Sequence, residues 1–166
     1  MAAGLAAVAL VAAACGGSSS ATSTTVQPNA ATAQADIGAV YQSLFNFADK
    51  SINAKVAAVQ DGPALRAGLS EAMASSLSSA ASGARIDSMS LLSASACATA
   101  KVPAPCAKVG YDILAGNGVA VLPNQTGYAT YVTGKWQVAK VTICGLLEAF
   151  YGAEQKKGTP PGCAAG

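Results

Sequence analysis

The chain contains no histidine. That removes the base of Ser-His-Asp and Cys-His catalysis, the commonest zinc ligand, and the usual side chain for sensing pH near neutrality. Charge is also scarce. Asp, Glu, Lys and Arg make up 11% of the residues, ten basic against eight acidic, for a net charge of +2. That is far from the basic stripe a nucleic-acid binder needs and too weak for a polybasic membrane patch, so neither partner is expected through charge. The apolar fraction of 52% is inflated by alanine, so mean hydropathy overstates the core. The apolar run at the start is shorter than the roughly 18 residues a membrane span needs.

That run ends in Ala13-Ala14-Cys15-Gly16-Gly17-Ser18. Small residues directly before a cysteine form the cleavage context of a lipoprotein signal, in which the cysteine sulfur is acylated and becomes the new N-terminus. The reading assigns residues 1–14 to a signal peptide and Cys15 to lipidation (palmitate). It places the chain on the extracytoplasmic face of a membrane, in an oxidising space. Residues 1–14 lack the basic n-region, and Ala12 stands where leucine is more usual. A translation start upstream is therefore expected. The alternative is a plainly secreted protein cut elsewhere.

With Cys15 assigned to lipid, four of the five cysteines remain, and four allow three pairings. Cys97 with Cys106 and Cys144 with Cys163 is the preferred set. The first pair brackets a loop containing Pro103 and Pro105, and the second ties the tail Gly158-Thr159-Pro160-Pro161-Gly162 back to the body. A metal site is the other use of such cysteines, but the spacing does not match paired CxxC ribbons. No metal or cofactor is expected.

The 166 residues suffice for one domain with a core. Residues 15–33 read as the lipidated cysteine and a flexible tether rich in Gly, Ser, Thr and Ala, with a reach of roughly 25 Å for about 20 residues. Residues 34–152 read as the folded domain and 153–166 as its disulfide-tied tail. Ile37, Val40, Tyr41, Leu44, Phe45 and Ala48 form one helical face. A short helix is expected at 51–60, with Ile52, Val56 and Val59 inward. Asp61-Gly62-Pro63 then breaks the chain. A third helix is expected to about Ala81, with Leu65, Leu69, Met73 and Leu77 on one side. From Ala84 the period falls to two. Strands are expected from there to about Leu92, at 108–114, at 119–132 with an interruption at Pro123-Asn124-Gln125, and at 136–142. Asn117-Gly118 is a hairpin signal, and a final helix is expected at 145–151. Helices first and a meander second mean an α+β fold. The N-terminal helices lie on a curved antiparallel sheet of about four strands, forming a cone with an apolar mouth, and a short C-terminal helix follows.

Val59-Gln60-Asp61-Gly62, the helix end Ser75-Ser76-Leu77, the strand entry Ala84-Arg85-Ile86 and the run Gly134-Lys135-Trp136-Gln137-Val138-Ala139-Lys140 together carry a resemblance. Across roughly residues 37–151 the chain resembles the C-terminal domain of the low-molecular-weight mycobacterial T-cell antigen family, a group of exported actinobacterial proteins and lipoproteins. The resemblance implies a cystatin-like or nuclear-transport-factor-like cone exposed at the cell envelope. It implies no catalytic residues and no cofactor.

Asp112 is the carboxylate of most interest. Inside a cone it would act as a general base, with Tyr128 or Tyr131 holding an oxyanion, because adjacent Tyr111 must face the other way. Outside the cone it would pair with Lys108 or Lys140. Asn124 and Gln125 either present amides to a ligand or cap their own loop. Tyr41, Phe45, Trp136 and Phe150 either line a pocket or fill the core. Ser75, Ser76, Ser78 and Ser79 have no histidine base, and no motif ties Lys50 or Lys55 to them. The leading expectation is a non-catalytic, membrane-anchored domain that binds a small apolar ligand or an envelope protein. The candidate pocket comprises Tyr41, Phe45, Asp112, Asn124, Gln125, Tyr128 and Trp136. Two alternatives stand beside it: a cofactor-free isomerase or dehydratase using Asp112, and an interaction module with a filled core.

Overall fold

The computed structural model describes residues 28–75 and 78–164. The expected signal peptide, the lipidation at Cys15, the tether up to residue 27 and the inward place given to Leu77 lie outside the described residues.

The first helix, α1 (Ala30–Phe45), starts inside the stretch expected to be tether. The Asn29 side chain accepts the Ala31 N–H at 2.9 Å and caps it, and Ala33 is fully buried. Alanine is the best helix former, so an alanine-rich stretch with a good cap folds where composition reads as linker. Ala33, Ile37, Tyr41, Leu44 and Phe45 turn inward.

Two shorter helices follow, α2 (Ile52–Ala57) and α3 (Gly62–Ala74). At their junction a Cβ on Gly62 would lie 1.9 Å from the Val56 carbonyl oxygen, so only glycine fits. Helix α3 stops well before Ala81, the end expected for it. The Ser75 hydroxyl donates to the Ala72 carbonyl at 2.7 Å and accepts the Ser78 N–H at 3.3 Å. Serine side chains thereby compete with the helical hydrogen bonds, and a single 3₁₀ turn, Ser78–Ala80, leads into the sheet.

Four antiparallel strands follow chain order: β1 (Ala81–Leu91), β2 (Cys106–Ala115), β3 (Ala120–Val132) and β4 (Lys135–Val138). The sheet curls into a half barrel around the helices, as the α+β cone requires. Val109, Tyr111 and Ile113 line its concave face from β2, and Ala129, Trp136 and Val138 continue that face. A register shift between Ile86 and Ser88 breaks the period of two in β1, so Ile86 and Met89 both pack against the core.

Both sheet edges receive hydrogen bonds from outside the sheet. The Gln42 side chain accepts the Ala84 N–H at 3.0 Å on the β1 side. On the β4 side, Gln60 N–H donates to the Val138 carbonyl, and Val138 N–H donates to Ala58, each at 2.9 Å. The last helix, α5 (Lys140–Ala153), begins earlier than expected, and β4 is correspondingly shorter. Gln60 Oε1 accepts the Lys140 N–H at 3.0 Å and fixes that start. One helix was missed: α4 (Ala94–Thr99), capped by Ser93, fills part of the expected loop.

Both disulfides, Cys97–Cys106 and Cys144–Cys163, are formed. The first belongs to a small second core with Val102 and Ala139. Lys55 is fully buried, which its sequence context does not announce. Its Nζ donates to the carbonyls of Ser43 (2.5 Å) and Asn46 (2.6 Å), at the end of α1. The cation thus satisfies carbonyls that the helix leaves unpaired. Burial holds the Lys55 amine below its ordinary pKa, and nearby Asp49 opposes that shift.

Candidate functional site

A cleft of about 550 Å³ lies between the concave face of the sheet and helices α3 and α5. Phe45, Leu69, Ile113, Leu122, Leu146 and Phe150 form much of its wall. Among the described residues no charged side chain lines it. The polar liners among the described residues, Ser75 and Ser78, use their hydroxyl protons internally. Ser75 donates to Ala72, and Ser78 Oγ lies 2.9 Å from the carbonyls of both Met73 and Ser75. The cleft is therefore apolar in chemistry as well as in composition. At its mouth Val121 is 41% exposed and Leu122 48% exposed. The volume falls within the roughly 300–1,000 Å³ of small-molecule sites.

A smaller hollow of about 240 Å³ adjoins it and shares Leu146 and Ala149 of α5 with the large cleft. Tyr111, Gln125 and Thr142 are among its walls. Here α5 approaches the sheet closely. A Cβ on Gly127 would stand 2.5 Å from Thr142 Cγ2 and 3.0 Å from the Tyr41 hydroxyl. The Tyr41 hydroxyl donates to the Tyr128 carbonyl at 3.1 Å. Thr142 Oγ1 accepts the Tyr128 N–H at 2.7 Å. Burial raises the pKa of both Tyr41 and Tyr111 well above that of an exposed phenol, so both stay protonated.

The residues expected to form one pocket are dispersed. Phe45 lines the large cleft, as does Phe150, the other aromatic weighed for a wall. Gln125 and Tyr128 border the small hollow, although the Tyr128 ring packs on the second core. Tyr41 and Trp136 are core residues. Tyr41 meets Tyr111 edge-on at 4.8 Å, and Trp136 meets Tyr131 at 5.4 Å.

Asp112 borders neither space. It also pairs with neither lysine named for it. Its Oδ2 accepts from Arg85 Nη2 at 2.5 Å, its cross-strand neighbour, and its Oδ1 accepts the Asn124 N–H at 2.8 Å. Asn124 is left-handed, with φ 56°, and the β2–β3 register shifts nearby. Asp112 thus pins a bulge that re-aims β3, with both oxygens engaged. The Gln125 side chain donates to the Pro123 carbonyl at 2.8 Å, capping its own segment.

Sequence reasoning did not find Leu69, Ile113, Leu122 and Leu146 as site residues. Each was legible only as an apolar position. Among the described residues no group of His, Cys, Asp or Glu could hold a metal ion, and no helix is long and apolar enough to cross a membrane.

The half barrel closed by helices, with an apolar cleft under its terminal helix, defines a small α+β cone domain. Residues 29–154 match the family model described as low molecular weight antigen MTB12, C-terminal domain, and the chain belongs to that family. The match begins at the Asn29 cap of α1, in agreement with the helix start. Neither a curated protein nor a solved structure matches the chain.

Proposed function

We propose that this chain is an extracytoplasmic lipoprotein, anchored through Cys15, whose domain carries a small apolar ligand and does not transform it. The observation that carries the ligand reading is the uncharged cleft of about 550 Å³ with internally satisfied hydroxyls. Such a wall offers an alkyl or ring surface dispersion and burial, and it offers an ion nothing. The enzyme alternative has no comparable support, because Asp112 is engaged by Arg85 and Asn124 away from the cleft. The two disulfides and membership of an antigen family support export.

Native mass spectrometry of the exported chain, purified from an envelope-containing host, tests the carrier reading. The expected result is a discrete adduct of a few hundred daltons or more that is lost on denaturation. A bare mass under both conditions would turn the reading toward a protein partner at the envelope. The anchor has a separate test. Cys15→Ala is expected to move the protein from the detergent phase to the aqueous phase on Triton X-114 partitioning. Continued detergent partitioning of that variant would remove the lipid from the account.

A further inference from the structure

We propose that the ligand is an uncharged amphiphile, with its chain in the large cleft and a hydroxyl or ester oxygen on the Tyr111 hydroxyl in the adjoining hollow. This rests on the reading of the cleft as a ligand site. The two spaces share Leu146 and Ala149 of α5. On the sheet side Ile113 and Tyr111 stand two residues apart on one face of β2, with Ile113 in the wall of the cleft and Tyr111 in the wall of the hollow. One molecule can therefore run along α5 from one space into the other.

Tyr111 is 1% exposed, and its hydroxyl is the one buried side-chain polar atom without a hydrogen-bond partner among the described residues. A buried hydroxyl left unpaired is costly, so its persistence calls for a partner. Its neighbours do not supply one. The Tyr41 hydroxyl donates to Tyr128, and Thr142 is bonded to the Tyr128 backbone. The Gln125 amide donates to Pro123. Among the described residues no Lys, Arg, Asp or Glu lines the hollow. An ionised carboxylate or phosphate would thus be desolvated there without a counter-charge, whereas a neutral oxygen meets a single unpaired hydroxyl.

The test uses octane, octan-1-ol and octanoate at pH 8, titrated into the exported, disulfide-intact chain and its Tyr111→Phe variant by ligand-observed NMR. Tyr111→Phe keeps the ring in its stack with Phe45 and removes the orphan oxygen alone, so the fold is retained. Octan-1-ol is expected to bind at least about tenfold more tightly than octanoate, and to lose about five- to tenfold in the variant. Octane is expected to bind both forms equally. Equal octan-1-ol affinity in both forms, or octanoate binding as tightly as the alcohol, would overturn the assignment while leaving the carrier reading intact. Failure of all three, octane included, would overturn both.

Discussion

Ala72→Trp is expected to abolish uptake of an alkyl ligand while leaving the domain as stable as before, or more so. Ala72 faces the large cleft from α3 and is half-buried. An indole placed there occupies space that a ligand chain would otherwise fill. If it displaces about four methylenes at about 0.8 kcal/mol each, binding weakens by about 3 kcal/mol, on the order of 100-fold. Filling an apolar void ordinarily costs a fold nothing and often stabilises it. The two readouts, ligand titration and the urea midpoint, should therefore move independently. Wild-type affinity in the variant would mean that ligands bind elsewhere. A collapsed urea midpoint would mean that the cleft is narrower than described.

Removing the disulfides is the second large effect, and the two bonds are expected to differ in kind. They close segments of 9 and 19 residues, Cys97–Cys106 and Cys144–Cys163. Replacing both cysteines of either pair by alanine is expected to lower unfolding stability by about 2–4 kcal/mol. Both together would remove a large share of the roughly 5–15 kcal/mol typical of a domain. Cys97–Cys106 sits in the second core, away from the cleft. Cys144–Cys163 instead holds the tail across α3, where the Pro161 carbonyl oxygen would lie 3.3 Å from a Cβ on Gly68.

The same face is tied by Tyr151 and Lys156, whose side chains donate to Glu71 at 2.8 and 3.0 Å. Those bonds hold the Glu71 carboxyl below its ordinary pKa, with Lys156 the larger cause. Since α3 and α5 are the jaws of the cleft, loss of Cys144–Cys163 should weaken ligand binding as well as stability, and loss of Cys97–Cys106 should weaken stability alone. Denaturant midpoints and alkyl-probe titrations on the two double variants check this. Equal effects on binding would remove the tail from the site.

Periodicity was enough to read α1, α3 and the inward face of β2, because a single buried face leaves a repeating trace in the residues. It also placed Tyr111 and Asp112 on opposite faces correctly. It failed where one side chain decides the outcome. Gln60 starts α5 from a distant loop, Ser75 stops α3, and Asp112 holds a bulge against Arg85 and Asn124. Ser93 before an alanine-rich run was an available signal for α4, and Asn29 was one for the start of α1. The cleft itself leaves no trace in sequence. It is a gap between layers, set by the distance of α3 and α5 from the sheet, and its lining differs from ordinary core only in what is missing beside it.

The position of the sole tryptophan gives the molecule an optical reporter of its fold. Trp136 is 3% exposed and packs against Tyr131, and it borders neither the cleft nor the hollow. Its emission therefore follows the integrity of the β3–β4 corner and stays silent to occupancy. The urea midpoint can therefore be read from tryptophan emission with ligand present or absent, without adding a label.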